Sequence, residues 1–374
     1  MTHPRLQQLH DAGQSLWLDY IDRTMLANGD LVRRIRDDAL TGMTSNPTIF
    51  EKALGEGSAY DEQLAGAPSS LTAWERFELV ETTDVRNACD VFRPVYDATN
   101  GEDGYVSIEV SPGSANDATA SVAEAHRLWK TVDRPNVMIK VPGTAEGAEA
   151  CRRLIADGIN VNVTLLFAVD AHERIIDAYI AGLEARAKAG KPIGRVSSVA
   201  SFFVSRVDAE IDKRIDAMIA SDPSKSAALQ PLKGKAAIAN AKLAYALFQQ
   251  KFTGQRWDSL AAKGGRVQRP LWASTSTKNP AYRDVMYVEQ LVGPHTVNTL
   301  PPATLEAFRD HGEVTRTVDR DVDGARRVIA SLEAAGISLA EVTAKLLKDG
   351  IASFQKSFDG LLVNLERKVS ASRR

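Results

Sequence analysis

The chain has 374 residues, of which 44% are hydrophobic and 25% charged, a composition typical of a globular protein with a sizeable core. The formal net charge of −2 excludes bulk attraction to nucleic acid, so any anion binding must come from a local site. Two cysteines, Cys89 and Cys151, form no Cys-x-x-Cys pair and do not indicate a disulfide scaffold.

Targeting and metal-binding signals are absent from the sequence. No run approaches the roughly 20 apolar residues that a membrane-spanning helix needs, and residues 1–4 lack the features of a signal peptide. We therefore predict a cytoplasmic protein with no membrane or nucleic-acid partner. The six histidines show no zinc-binding spacing, so we predict no metal and no organic cofactor. The oligomeric state is left open, and a homo-oligomer is compatible with the sequence.

Short apolar runs alternate with longer amphipathic stretches along the whole chain. The predicted strands are, in chain order, 16–21, 42–46, 105–110, 137–141, 160–167, 199–204, 270–274 and 296–299. Helical patterns such as 116–131 and 168–188 lie between them. Eight strands separated by helices predict an α/β fold in which a parallel sheet closes into a (β/α)8 TIM barrel. A doubly wound open sheet is the alternative, although no Gly-x-Gly-x-x-Gly follows the first strand.

The chain is longer than the roughly 250 residues of a minimal barrel. The excess falls in helical insertions near 51–93 and 208–266 and in a C-terminal helix near 339–368. No low-complexity linker or solenoid repeat divides the sequence. We therefore predict a single domain over residues 1–374.

Polar side chains interrupt the predicted strands near their carboxyl ends. Both faces of a parallel strand are buried, so such residues are costly there, and in a barrel this end carries the active site. The residues are Asp19, Asn46, Glu109, Lys140, Asn162, Thr164, Ser201, Arg206 and Ser274. Each alone could be a turn or cap residue, and a buried ion pair would explain Glu109 and Lys140 without catalysis. Their shared position at the strand ends favours an active site.

Lys140 is the candidate nucleophile of this site. Its apolar neighbours Ile139 and Val141 would disfavour the ammonium form by desolvation, and the neutral amine attacks a ketone to give an imine. The protonated imine then weakens an adjacent carbon–carbon bond. Asp19 is suited to act as the base at the departing hydroxyl. Glu109 and Thr164 could move protons through a water molecule.

The remaining candidates suit a phosphorylated, polyhydroxylated substrate. Asn46, Asn162 and Ser201 are uncharged hydrogen-bonding groups. Phe203 shares a face with Ser201 and could wall the pocket, with a plain core aromatic as the alternative. Arg206 and Ser274 suggest a phosphate anchor. The alternative is that Arg206 is a surface residue in an ion pair on a helix.

The order and spacing of six segments resemble the transaldolase family over nearly the whole chain. These are TSNPTIF at 44–50, SIEV at 107–110, IKVP at 139–142, GINVNVTLLF at 158–167, SFFVSR at 201–206 and ASTSTKNP at 273–280. Any one segment alone would be unspecific, whereas the set is highly specific. The length is similar to the extended bacterial branch rather than to the short fructose-6-phosphate aldolase-like branch.

The resemblance implies a class I aldolase-type barrel of the non-oxidative pentose phosphate pathway. Such an enzyme moves a dihydroxyacetone unit from sedoheptulose 7-phosphate to glyceraldehyde 3-phosphate, giving erythrose 4-phosphate and fructose 6-phosphate. It also implies the roles of the site residues. Lys140 would form the Schiff base, Asp19 would be the acid/base, and Glu109 and Thr164 would position the catalytic water; Asn46, Asn162 and Ser201 would hold the dihydroxyacetone part, and Arg206 and Ser274 the phosphate.

The sequence departs from the family pattern beside the phosphate anchor. Many members have a second arginine just after the serine that matches Ser274. Here Ser276 stands near that place, and Lys278 follows as a candidate substitute.

Two other functions are compatible with the same residues. A fructose-6-phosphate aldolase-like lyase would release dihydroxyacetone instead of passing it on, and a sugar-phosphate-binding protein would bind without covalent chemistry.

Overall fold

Eight parallel strands form a closed barrel in the computed structural model, which describes residues 2–55 and 57–372. Each strand pairs with its neighbours in chain order, and the last pairs with the first. The strands are β1 (Gln14–Asp19), β2 (Leu40–Thr44), β3 (Tyr105–Glu109), β4 (Val137–Pro142), β5 (Val161–Leu166), β6 (Ser198–Phe203), β7 (Arg269–Ala273) and β8 (Thr296–Leu300). The predicted (β/α)8 barrel is thus confirmed, and the open doubly wound sheet is wrong.

Helices surround the barrel and cover its ends. Over the described residues they are α1 (Pro4–Asp11), α2 (Arg23–Ala27), α3 (Asp30–Asp37), α4 (Pro47–Gly55), α5 (Asp61–Gly66), α6 (Ala73–Ala98), α7 (Ala118–Val132), α8 (Ala145–Asp157), α9 (Val169–Lys188), α10 (Ser205–Ser221), α11 (Ser226–Leu229), α12 (Ala236–Lys251), α13 (Gln255–Ala261), α14 (Met286–Glu289), α15 (Pro302–His311), α16 (Val322–Ala334) and α17 (Leu339–Ser372). Short 3-10 turns lie at Pro112–Ser114, Pro223–Lys225 and Gln230–Leu232.

The first two strands begin and end two residues earlier than the sequence patterns predict. At β2 the reason is local. Pro47 has no amide hydrogen and restricts Asn46 before it, so the ladder ends at Thr44. The side chain of Asn46 instead accepts a hydrogen bond from the amide of Ile49 at 3.0 Å, which caps the start of α4. Asp19, by contrast, is the last residue of its strand.

A buried polar network lies at the amino end of the barrel, opposite the end that carries the candidate site. The Asp103 carboxylate accepts hydrogen bonds from Trp17 Nε1 at 2.8 Å and from the hydroxyl of Ser15. Arg269 donates to Ser15 Oγ at 2.7 Å. These contacts tie β1 and β7 to the loop before β3. In a TIM barrel, interactions at this end serve stability rather than catalysis.

The helices include none that combines the length and the apolar character of a membrane crossing, as far as the described residues go. The two cysteines lie in α6 and α8, where both are buried and unpaired as thiols. Burial raises the pKa of the Cys151 thiol to about 12, so it stays protonated. Both cysteines therefore act as small core residues.

Candidate active site

The carboxyl ends of the strands surround a cavity of about 310 Å³. The predicted site residues divide into those that line it and those that lie behind its wall. The lining residues are Asp19, Thr44, Asn46, Thr48, Ile49, Lys52, Lys140, Thr164, Ser201, Phe203, Arg206, Ala273, Ser274, Ser276, Lys278, Thr299, Pro301 and Phe354. Glu109 and Asn162 do not line this cavity. Nine of the eleven predicted residues therefore line one cavity, and the other two lie directly behind lining residues, Glu109 beside Lys140 and Asn162 beside Ser201.

Lys140 and Glu109 form a buried ion pair across β3 and β4. Lys140 Nζ lies 3.1 Å from Glu109 Oε2, and each side chain is 6% exposed. The same amine donates a hydrogen bond to the carbonyl oxygen of Ser45 at 3.1 Å. Its surroundings are thus more polar than its sequence neighbours suggest, because the two strands pair in a register that sets Glu109 beside Lys140. The ion pair that the sequence left as a structural alternative exists.

The charge state of this pair suits proton transfer. Burial raises the pKa of the Glu109 carboxyl, and the nearby Lys140 charge acts in the opposite direction. A carboxyl with a raised pKa can take the proton of the amine and later return it. The neutral amine needed for attack on a carbonyl can therefore be generated inside the pair. The pair itself reaches the cavity through Lys140, which a purely structural tie would not require.

Asp19 faces the same cavity from the end of β1. Its Oδ1 accepts a hydrogen bond from Thr44 Oγ1 at 2.8 Å, and the Thr44 hydroxyl lies 2.7 Å from that of Thr299. Burial raises the pKa of Asp19, while Lys140, Thr44 and Arg206 oppose the shift. The carboxyl is therefore held in place by threonines and can bind or release a proton, as a general acid/base must.

Two of the three predicted hydroxyl-binding groups, Asn162 on β5 and Ser201 on β6, form a hydrogen-bonded row with Ser107 on β3. Ser201 donates to Asn162 Oδ1 at 2.7 Å, and Asn162 Nδ2 donates to Ser107 Oγ at 3.0 Å. Asn162 is fully buried, so Ser201 reaches the cavity and Asn162 orients it. Thr164 Oγ1 is buried in the cavity wall and has no hydrogen-bond partner among the described residues. This hydroxyl is therefore available to bond to a ligand or a water molecule.

The far side of the cavity is cationic. The guanidinium of Arg206 lies over the Phe203 ring, 5.3 Å from its centroid, and no salt bridge within the described residues involves it. Lys278 lines the same side and donates to Ser276 Oγ at 2.9 Å. Burial and the charge of Arg206 lower the pKa of Lys278. Two neighbouring cations that repel each other favour an anion beside them. Because Arg206 lines the cavity and has no salt bridge among the described residues, its interpretation as a surface ion-pair residue is wrong.

Ser274 holds an unusual backbone conformation beside these cations. Its φ is 54°, in the left-handed region, and its hydroxyl lies 3.0 Å from that of Ser205 at the start of α10. The amide of Ser205 donates to the carbonyl oxygen of Ser274, also at 3.0 Å. A serine is uncommon in this region of backbone conformation. Here it places two hydroxyls and the N-terminus of a 17-residue helix next to Arg206.

Sequence reasoning missed several residues that the cavity includes. Thr44 and Thr299 lie at strand ends, so their position was a usable signal, but threonine is common in strands and draws no attention. Lys52 and Ser276 lie on segments that follow strands. Phe354 lies on α17, where nothing local points to a cavity.

A second groove lies outside the candidate site, and the described residues include no cluster of metal ligands. The groove, about 510 Å³, lies between α17 and the starts of α8 and α9 and contains Thr144, Arg174 and Lys348. It holds none of the predicted site residues. Within the described part of the chain, no group of three or more His, Cys, Asp or Glu side chains is arranged to hold a metal ion. The absence of a cofactor stays a prediction.

Comparison with known proteins agrees with this geometry. Residues 16–365 match the family model described as Transaldolase/Fructose-6-phosphate aldolase. The chain is 48% identical to Transaldolase 2 of a Nostoc species over 99% of this chain and 98% of that protein. It is also 48% identical to the transaldolase of Thermobifida fusca, over 98% of each chain, and 46% identical to that of Saccharopolyspora erythraea, over the full length of both. This chain therefore belongs to the transaldolase/fructose-6-phosphate aldolase family.

Proposed function

We propose that this protein is a transaldolase that transfers a dihydroxyacetone unit from sedoheptulose 7-phosphate to glyceraldehyde 3-phosphate through a Schiff base on Lys140. The observation that carries the proposal is the amine of Lys140 in the cavity wall, backed by Glu109 at 3.1 Å and facing Asp19 and Arg206. The full-length relatives named transaldolase support the same assignment.

The first stage is imine formation. Arg206, Ser274 and Lys278 hold the phosphate of the ketose, which directs its carbonyl carbon toward Lys140. The neutral amine adds to this carbon to give a carbinolamine. Glu109, which holds the proton taken from the amine, supplies it to the carbinolamine hydroxyl, which leaves as water. The product is a protonated imine on Lys140.

The second stage is cleavage and transfer. Asp19 takes the proton of the hydroxyl on the fourth carbon, and the bond between the third and fourth carbons breaks. The bonding electrons move toward the imine nitrogen, which leaves an enamine on Lys140 and frees erythrose 4-phosphate. The enamine carbon then attacks the aldehyde of glyceraldehyde 3-phosphate, and Asp19 returns its proton to the new hydroxyl. Hydrolysis of the imine releases fructose 6-phosphate and restores the amine.

The Schiff base is tested by reductive trapping. Borohydride added with fructose 6-phosphate should leave a reduced three-carbon adduct, and peptide mass mapping should find it on Lys140. Lys140→Arg keeps a positive charge near Glu109 but cannot form the imine, so it should give no adduct. An adduct on a different lysine would contradict the assignment.

The fructose-6-phosphate aldolase-like lyase is the alternative function, since the family model covers both activities by name. It differs only in the fate of the enamine, which takes a proton and leaves as dihydroxyacetone. Product analysis with fructose 6-phosphate, with and without erythrose 4-phosphate, separates the two. A transaldolase forms sedoheptulose 7-phosphate and releases little dihydroxyacetone when the acceptor is absent.

We extend the proposal to the setting of the enzyme. It acts in the cytoplasm in the non-oxidative pentose phosphate pathway, as a single domain over residues 1–374 that includes the helical insertions, and it needs neither a metal nor an organic cofactor. Full activity after dialysis against a chelator is the expected result. Its oligomeric state, including a homo-oligomer, is to be measured by sedimentation.

A further inference from the structure

One aromatic ring from the end of the chain lies beside the candidate nucleophile. Phe354 belongs to α17, which packs against α4, α6, α10 and β5. The centroid of its ring is 6.0 Å from Lys140 Nζ. Phe354 lines the main cavity and also a small space of about 10 Å³ next to Glu109, so it covers the amine from the side that the helix occupies.

Two glycines lie where this helix closely approaches β5 and α4. A Cβ atom at Gly350 would lie 2.9 Å from Leu165 Cδ2, and one at Gly360 would lie 2.7 Å from Glu51 Oε1. A larger residue at either place would force the side chain of Leu165 or of Glu51 to move. One turn beyond Phe354, the ring of Phe358 packs edge-on against Trp74, with centroids 4.9 Å apart. Phe354 is 7% exposed, and the packing of α17 against its neighbours holds the ring in place.

The chemistry gives this position a consequence. After the first aldehyde leaves, the enamine on Lys140 must wait for the second. A proton from water at the nucleophilic carbon converts the enamine to the imine of dihydroxyacetone, and hydrolysis of that imine releases dihydroxyacetone and the free amine. Transfer therefore requires that water be kept from this carbon. An apolar ring held next to the reacting nitrogen occupies the space that water would need.

We propose that Phe354 is a specificity-determining residue that excludes water from the enamine and so favours transfer over release. This inference rests on the proposed function. Its ring also faces the nitrogen when that nitrogen carries the positive charge of the protonated imine, an arrangement that stabilises the cation. The C-terminal helix is then a working part of the site rather than an outer layer of the barrel.

The test compares the partition of the enamine in three variants. Each enzyme receives fructose 6-phosphate and erythrose 4-phosphate, and the ratio of dihydroxyacetone released to sedoheptulose 7-phosphate formed is measured. Phe354→Ala should raise this ratio about tenfold, and Phe354→Leu, which restores part of the apolar volume, should raise it less. In deuterium oxide the dihydroxyacetone released by Phe354→Ala should carry deuterium on the former enamine carbon.

Phe358→Ala is the matched control, because Phe358 has the same burial and lies on the same helix but does not line the cavity. It should lose stability yet keep the ratio within about twofold of the wild type. If Phe354→Ala does not fold, Phe354→Leu decides. A folded Phe354 variant with the wild-type ratio, or an equal rise in Phe358→Ala, would overturn the inference and leave the transaldolase assignment intact. A wild-type enzyme that forms no sedoheptulose 7-phosphate would remove the proposed function, and this inference with it.

Discussion

Lys140 Nζ lies 3.1 Å from Glu109 Oε2, and both side chains are almost completely buried. The two residues are register partners on β3 and β4, so the backbone itself sets this distance. Burying two charges costs several kcal/mol per ion before their attraction is counted, which makes the pair weak evidence of stability by itself. A pair that also presents an amine to a cavity lined by Asp19 and Thr164 is better explained by proton transfer.

Glu109→Gln should lower turnover about 100-fold or more, because an amide cannot carry the proton between the amine and the carbinolamine hydroxyl. The Michaelis constant should change by no more than about threefold, since Glu109 does not line the cavity. Steady-state kinetics with both substrates provides the measurement. Glu124→Gln is the control, because Glu124 is a similarly buried carboxylate that contacts Ser111 instead of Lys140. Equal losses in both variants would point to a purely structural effect.

Asp19→Asn should lower turnover about 100-fold or more and at the same time raise stability at neutral pH. Burial raises the pKa of Asp19 above its usual value. Ionising this carboxyl at neutral pH therefore costs more free energy in the folded protein than in the unfolded chain. The free energy of unfolding of the wild type therefore falls as pH rises from the pKa of Asp19 in the unfolded chain to its higher pKa in the folded protein. The variant has no carboxyl at this position and avoids that part of the fall.

Thermal midpoints measured from about pH 3 to about pH 8 check the direction of this effect. At the lower end the Asp19 carboxyl is mostly protonated in both the folded and the unfolded protein. The midpoints of the two proteins should differ most at neutral pH and converge in acid. Wild-type activity should also decline as pH falls through the raised pKa of Asp19, since the base is then protonated. A variant that is less stable than the wild type at pH 7 would show that burial does not dominate.

Arg206→Ala should raise the Michaelis constant for fructose 6-phosphate more than about tenfold and change turnover by less than about threefold. Lys278→Ala should have a smaller effect, about threefold, because Lys278 is more exposed than Arg206 and acts as a point charge. Kinetics with unphosphorylated fructose is the control, and there neither substitution should matter. An equal loss with fructose would remove Arg206 from the phosphate role.

Asp103→Ala should destabilise the protein by about 3 kcal/mol without changing the turnover of the folded enzyme. The substitution leaves Arg269 and the indole of Trp17 without their buried partner at the amino end of the barrel. Chemical denaturation gives the free energy of unfolding, and activity per folded molecule gives the turnover. A fall in turnover of the folded enzyme would show that this network reaches the opposite end of the barrel.

The sequence by itself determined the barrel and most of the candidate site. Strand alternation and the rarity of buried charges are local properties, and they were enough to single out Asp19, Glu109 and Lys140. All eight strands are present, with ends displaced by no more than two residues. Thr44 also lies at a strand end and lines the cavity, but its position did not single it out because threonine is common in strands.

Tertiary structure alone decided which of these groups touch one another. The register of β3 and β4 set Glu109 against Lys140, and the packing of β5 against β6 placed Asn162 behind Ser201. The contact between Lys140 and Phe354 depends on how a helix from the other end of the chain docks on the barrel. No local pattern encodes that contact, because it arises from the shapes of two surfaces that meet only after folding.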